Sequence, residues 1–333
     1  MTGKRNMQIR NLDFECYKNA LKKHQNHQED WLRAGYAPRG YYLKDFCIIH
    51  TNGVFHLFHI AGTPGVSCCL PGNEIWFGHA ATKDFLYWRT MDPCFYIQPG
   101  AWDEGHVFAP TVLQKKDTFW MFYTGCAIDN TQRIGAAISA DLQNWQRVTD
   151  KPVIRPEEFD WAFCPTEKGA ACRDPHVCKW DGEYSMYFTA VTKQGRACVG
   201  RAASTDLVDW VDKGPAYIDS TLAHCESSNV QEYEGKFMLF FGGHHEFWVY
   251  VVSDNPYRWP NQEPIPLKQG ITAMEVVRRE NSRWLVAYFK FECYRMFLGI
   301  IDWSQSNPTI HEIQTADKLR EFGITSLGNK ADQ

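Results

Sequence analysis

The chain has 333 residues, a formal net charge of −4 at pH 7, and 15% aromatic residues with 13 tryptophans. A mildly acidic chain without long runs of one charge does not suit nucleic acid or an anionic membrane surface, because both attract basic patches. No apolar run approaches the length of a membrane span, so we expect no membrane partner. The aromatic content is typical of an all-β protein whose rings fill its core.

The first predicted element is one amphipathic helix over residues 11–34, where apolar residues recur at helical spacing. We assign residues 1–40 to an N-terminal helical extension and residues 41–333 to one catalytic domain. The opening residues hold no apolar stretch of secretory length, so we expect no signal peptide and a cytoplasmic location. The 12 cysteines are then expected to be thiols, and without a Cys-x-x-Cys pair they do not indicate zinc.

A string of alternating apolar residues that ends in aromatics recurs five times along the chain. The copies cover residues 53–59, 117–123, 182–188, 235–241 and 282–288. Five copies at this spacing fit five units of three or four strands each. Because radial repetition of small sheets avoids long exposed edges, the repeat predicts an all-β fold, a five-bladed β-propeller with a short N-terminal helix.

A second string follows the first four copies and places a tryptophan just after a turn, which is of the Asp-Leu type in two of them. It covers residues 83–88, 140–145, 205–210 and 254–259. Asp and Asn side chains bond their own backbone in such turns, and the ring that follows is expected to pack between neighbouring units. We interpret these tryptophans as structural and not catalytic.

Three acidic residues precede the first string at nearly the same distance in three of the five units. Asp45 and Asp174 lie eight residues before the turn residue, and Glu226 lies nine before it. The segment before each string should be the innermost strand of a blade, so these carboxylates should converge at the mouth of the central channel. Grouping like charges is costly unless a site uses them. These three residues are therefore the predicted catalytic groups.

The same residues carry a resemblance to a known group of enzymes. An Asp in the first blade, Arg173-Asp174-Pro175 in the third and a Glu in the fourth resemble the propeller glycoside hydrolases of families 32, 43, 62 and 68. The recurrent turns and residues 102–112 are also similar to those enzymes. The resemblance implies that Asp45 is the nucleophile or general base, Asp174 the transition-state stabiliser and Glu226 the general acid. No cofactor and no metal are expected.

The chain departs from the family 32 pattern beside two of the acids. Lys44 and Phe46 flank the first acid, where fructan-cleaving members usually have Asn and Pro. Cys225 and Ser227 flank Glu226 in place of the usual Glu-Cys-Pro. The β-sandwich that follows the propeller in that family is not expected here. Arg-Asp-Pro, by contrast, is more typical of fructoside-cleaving members than of arabinose- or xylose-cleaving ones.

Five further residues are predicted to bind substrate: Arg173, Trp102, Asp103, His106 and His244. Arg173 could donate hydrogen bonds to sugar hydroxyls or serve only as the counter-ion of Asp174. The two histidines are loop candidates for binding hydroxyls.

The leading hypothesis is a glycoside hydrolase that cleaves a terminal furanoside, with a β-fructofuranoside favoured, from a small oligosaccharide. Glycosidic cleavage needs an acid for the departing oxygen and a carboxylate on the opposite face of the sugar. A family 43-like inverting α-L-arabinofuranosidase or β-xylosidase is an alternative. A transferase or phosphorylase and a catalytically inactive sugar-binding propeller are further alternatives. The sequence does not indicate the oligomeric state.

Overall fold

The computed structural model describes residues 31–163, 171–219, 225–244 and 246–324. Five antiparallel sheets follow each other along these residues, and each sheet is built from consecutive strands. This arrangement confirms the predicted five-bladed propeller. The five recurring apolar strings all fall on the second strand of a blade.

The strands of each blade run outward from the channel in chain order, except that two short strands pair with the third strand of the first blade. The first blade holds β1 (Tyr42–Thr51), β2 (Val54–Gly62), β3 (Trp76–Thr82), β4 (Arg89–Thr90) and β5 (Phe95–Tyr96). The second holds β6 (His106–Lys115), β7 (Thr118–Cys126), β8 (Gln132–Ser139) and β9 (Gln146–Arg147). The third holds β10 (Cys172–Trp180), β11 (Glu183–Val191), β12 (Ala197–Ser204) and β13 (Val211–Ile218). The fourth holds β14 (Glu226–Tyr233), β15 (Lys236–His244), β16 (Phe247–Ser253) and β17 (Ile265–Gln269). The fifth holds β18 (Ile271–Glu280), β19 (Arg283–Lys290), β20 (Arg295–Asp302) and β21 (Ile310–Glu312).

Helical structure is sparse in the described residues. It consists of α1 (Trp31–Ala34), a 3-10 turn (Pro156–Glu158) and α2 (Ala316–Arg320). The predicted helix over residues 11–34 lies outside the described residues except for α1, its last four residues. Within the described ranges no helix is long and apolar enough to cross a bilayer.

The turns of the second string are held by their own side chains. Asp141 Oδ1 accepts hydrogen bonds from the backbone N–H groups of Gln143 and Asn144, and Trp145 Nε1 donates to the carbonyl of Leu142. The same pattern recurs around Asp206 in the third blade. The interpretation of this string as a structural turn is confirmed.

Tryptophans of the second string also bind neighbouring blades together. Three of the four rings pack edge-on against an aromatic residue on the second strand of the preceding blade, with centroids 5.5 to 5.8 Å apart. The pairs are Phe58–Trp145, Phe122–Trp210 and Tyr187–Trp259. The apolar core is accordingly divided into layers that lie between successive blades. Burial of these rings supplies the main favourable free energy of the fold.

The ring is closed by the segment that precedes the first blade. Tyr36 exchanges two backbone hydrogen bonds, 2.7 and 2.8 Å long, with Met296 on β20 of the fifth blade. The Tyr36 ring stacks on Trp88 of the first blade at a centroid distance of 4.1 Å. One residue therefore ties the last blade to the first.

Candidate active site

The innermost strand of every blade bends at one equivalent residue. Each of the five strands has a register shift there, and the bend residue adopts a positive φ between 32° and 58°. These residues are Asp45, Ala109, Asp174, Ser227 and Ala273. A left-handed backbone at a non-glycine residue costs about 1–3 kcal/mol, so its five-fold repetition marks a functional constraint on the channel.

All five bend residues line one small cavity of about 30 Å³ at the channel mouth. A volume of this size holds little more than one water molecule. Asp45 and Asp174 occupy bend positions themselves, and the other three blades place Ala109, Ser227 and Ala273 there. The structure thus brings the first two predicted acids together around one space.

Glu226 lies one residue before the bend of its blade, because Ser227 takes the bend position. It therefore corresponds to Lys44 and Arg173 and not to the two aspartates. Its side chain is 33% exposed, whereas that of Asp174 is 8% exposed. Glu226 is thus more accessible to solvent than Asp174.

Asp45 is electrostatically linked to the other acids. Burial raises the pKa of Asp45 to about 7, the neighbouring Lys44 opposes this rise, and the charges of Asp174 and Glu226 add to it. Electrostatic interactions between charged groups weaken over distances of a few to about ten ångströms. The three carboxylates therefore share one site.

Asp174 is held rigidly by groups from three blades. Its Oδ2 accepts hydrogen bonds from Thr189 Oγ1 at 3.0 Å and from the backbone N–H of Ser227 at 2.9 Å. Its own N–H donates to Thr124 Oγ1 at 2.9 Å. Burial raises the pKa of the Asp174 carboxyl, against the effect of Arg173 beside it.

Arg173 pairs chiefly with the acid of the next blade. Its Nη2 lies 2.5 Å from Glu226 Oε1, and its Nε lies 3.7 Å from Asp174 Oδ2. A further contact at 3.4 Å joins Nη1 to Gln132 Oε1. Arg173 thus links two of the predicted catalytic carboxylates, and its predicted contact with substrate stays a prediction.

Trp102 and Asp103 pack against the second and outer strands of the second blade. The Asp103 side chain has no exposed surface and its Oδ2 accepts from Arg147 at 2.6 Å and from the Tyr123 hydroxyl at 2.9 Å. Trp102 stacks on Tyr123 with a centroid distance of 6.0 Å. In the described residues these groups form a structural network of the second blade, and their predicted role in binding is not tested.

The two predicted histidines differ in what the structure shows. His106 is buried, its Nδ1 lies 2.9 Å from the carbonyl of Asn73, and burial lowers its pKa. The backbone of His244 ends β15, and its side chain falls outside what the structure describes. Both roles stay predictions.

The spacing between the acids and the recurring apolar string did not predict Glu275 as a site residue. It lies two residues after the bend residue Ala273, so it faces the same channel on the fifth blade and lines the same cavity as Asp45. Asn229 Nδ2 contacts its Oε2 at 3.5 Å. Burial raises the pKa of Glu275 to about 8. The alternation of side chains along a strand could have indicated it.

Glu275→Gln should stabilise the folded chain at pH 9 by up to about 5 kcal/mol and change little at pH 4. The folded carboxyl keeps its proton up to about pH 8, whereas the unfolded one loses it near its ordinary pKa of 4.5. Stability is therefore lost as pH rises through this window, and a neutral glutamine avoids that loss. Denaturant unfolding at both pH values measures the difference, with the exposed Glu280→Gln as control. An equal gain at both pH values would contradict this assignment.

Across the described ranges, no group of three or more His, Cys, Asp or Glu is arranged to hold a metal ion. No disulfide joins two cysteines within those ranges.

Comparison with known proteins finds similarity to glycoside hydrolases. Residues 37–199, just under half of the chain, match the model of the glycosyl hydrolases family 32 N-terminal domain. A beta-fructofuranosidase, the insoluble isoenzyme CWINV2 of Arabidopsis thaliana, is 27% identical over 173 residues, which are 48% of this chain and 26% of that protein. The chain thus spans about a quarter of that relative's length.

Solved structures share the fold at low identity. The Bombyx mori family 32 beta-fructofuranosidase BmSUC1 superposes with a TM-score of 0.65 at 13% identity, over 91% of this chain and 70% of that one. A thermostable family-43 glycoside hydrolase gives 0.63 at 14% identity, over 83% and 95%.

The five-bladed propeller is the fold that this chain shares with solved glycoside hydrolases. The match to the family 32 domain covers the first two blades and the first two strands of the third.

Proposed function

We propose that this chain is a glycosidase that removes a terminal furanose from a small oligosaccharide, with a β-fructofuranoside as the favoured substrate. The observation that carries the proposal is that Asp45 and Asp174 line one cavity of the channel, with Glu226 close enough to act on the charge of Asp45. The likeness to a beta-fructofuranosidase and to the family 32 domain supports fructose as the sugar.

Each acid has an environment that suits one step. Glu226, which is more exposed than Asp174, donates a proton to the departing glycosidic oxygen. Asp45 attacks the anomeric carbon or removes a proton from the attacking water. Asp174, fixed through Oδ2, accepts hydrogen bonds from ring hydroxyls that strengthen as positive charge grows on the sugar.

The cations at the mouth disfavour a phosphorylase. Lys44 lies 2.9 Å from Glu74, and Arg173 lies 2.5 Å from Glu226. Both are therefore engaged by carboxylates, and an incoming phosphate would meet a site rich in negative charge. The cytoplasmic location stays a prediction.

The proposal is tested by incubating the native chain with a panel of sucrose, 1-kestose, an arabinofuranoside and a xyloside, with release of the free sugar as the readout. We expect fructose from the first two, with retained configuration when the product is followed by NMR. Asp45→Asn is the matched control and should release none. Release of arabinose or xylose alone would move the assignment to the alternative hydrolase, and silence across the panel would favour a transferase or a binding protein.

A further inference from the structure

A buried ion pair lies directly beside the first catalytic acid. Lys44 Nζ is 2.9 Å from Glu74 Oε1, with side chains 13% and 0% exposed. A buried ion pair is rarely kept for stability, because desolvation of the two charges offsets most of their attraction. Lys44 is itself a residue that departs from the resembled family, which usually has Asn before its first acid.

Glu74 is anchored so that it fixes the lysine in place. The Tyr42 hydroxyl donates to Glu74 Oε1 at 2.8 Å, and the backbone N–H of Cys69 donates to Oε2 at 3.0 Å. Asn73 Nδ2 in turn donates to the Tyr42 hydroxyl at 2.8 Å. Glu74 itself adopts a positive φ of 54°. This amount of order for one loop carboxylate indicates that the position of the Lys44 ammonium matters.

The first and third blades share a pattern at this point. Each bend aspartate is preceded by a cation that is paired with a carboxylate elsewhere, Lys44 with Glu74 and Arg173 with Glu226. Lys44 also packs over the Phe108 ring at 5.3 Å, which limits its access to water. The ammonium is thus held at the mouth and exerts its charge on Asp45.

Asp45 is otherwise surrounded mostly by negative groups. The charged or titratable residues that face it are Lys44 on its own strand, Glu74 on the loop before β3, Arg173, Asp174 and His176 on β10, Glu226 on β14, and Glu275 on β18. Without a fixed cation nearby, a buried carboxyl in this company keeps its proton and cannot act as nucleophile or base.

We propose that Lys44 is a positioning residue of the active site, whose ammonium, anchored by Glu74, stabilises the negative charge of Asp45. The inference rests on the proposed function for its catalytic meaning, but its electrostatic content does not depend on the substrate.

The test is an infrared titration of the full chain without substrate. The carboxylic acid band that is lost in Asp45→Asn reports the protonation of Asp45, and it is followed in the native and Lys44→Met backgrounds. We expect the midpoint to rise by about one pH unit or more in Lys44→Met, a tenfold change in proton affinity. Lys44→Arg, which keeps the charge, should restore a midpoint close to the native one.

Controls separate this role from a structural one. Lys115→Met removes a lysine from the far end of an inner strand, where Lys115 contacts the Asp206 carbonyl, and should leave the midpoint unchanged. If Lys44→Met does not fold, Lys44→Met/Glu74→Gln removes both charges and should still raise the midpoint, though less. An unchanged midpoint in the folded variant overturns the proposal, including when the melting temperature falls.

Sugar release and the infrared midpoint together distinguish failure of the proposed function from failure of the proposed role of Lys44. If the native chain releases no sugar but the midpoint moves as expected, the electrostatic role of Lys44 holds and the assigned reaction is wrong. If sugar is released and the midpoint does not move, the reaction holds and Lys44 is only structural.

Discussion

Glu226→Gln should lower the rate of sugar release from an unactivated fructoside by roughly 100- to 10,000-fold. Glutamine keeps the shape of the side chain and can still accept a hydrogen bond from Arg173, which contacts Glu226 at 2.5 Å. It cannot give a proton to the departing oxygen, so the loss falls on the chemical step. Steady-state kinetics of purified native and variant chains measure it.

A comparison of two substrates with different leaving groups tests whether Glu226 is the general acid. An aryl furanoside with an acidic phenol as leaving group needs little protonation, so the variant should be far less impaired on it. Glu232→Gln, an exposed position on the same strand, is the matched control and should behave like the native chain. Equal losses on both substrates would show that Glu226 is not the proton donor.

Asp174→Asn should lower kcat by about 100- to 1,000-fold while KM stays within a few-fold of the native value. In the described part of the chain, both hydrogen bonds to the Asp174 carboxylate go to Oδ2. The asparagine carbonyl can take over those two bonds, which turns its amino group toward the cavity. An acceptor that stabilises growing positive charge is then replaced by a donor.

The asparagine variant also needs a control and a possible refutation. Asp117→Asn, in the exposed turn between β6 and β7, should leave both constants unchanged. Circular dichroism should show that Asp174→Asn is folded, because the bonds to Thr189 and Ser227 survive. A raised KM with native kcat would falsify the assigned role, since it would place Asp174 in ground-state binding alone.

Most of the fold could be predicted from the sequence because every blade needs the same local chemistry. A turn, an alternating apolar strand and a ring for the neighbouring blade recur together, as Asp141 and Trp145 show in the second blade. The closure of the ring could not be predicted. Tyr36 binds Met296 through backbone hydrogen bonds, and such bonds leave no mark on residue type.

The candidate site was predictable to the extent that it follows the repeat. Asp45 and Asp174 fall on equivalent bends, whereas Glu226 lies one residue before the bend of its blade. Ser227 occupies that bend, so the bend position accepts several residue types. Glu74 lies outside the repeated strands, on a loop whose path the repeat does not determine. No pattern in the sequence therefore predicted the contact between Glu74 and Lys44.

The shared bend of the five inner strands has a consequence for how such a site changes. Because the backbone already takes the left-handed turn at Ala109 and Ala273, the side chain there can be exchanged without a new main-chain geometry. Asp and Asn accept this conformation more readily than alanine does. Ala109 and Ala273 are therefore two positions in the channel where a new functional side chain can be introduced while the existing acids stay in place.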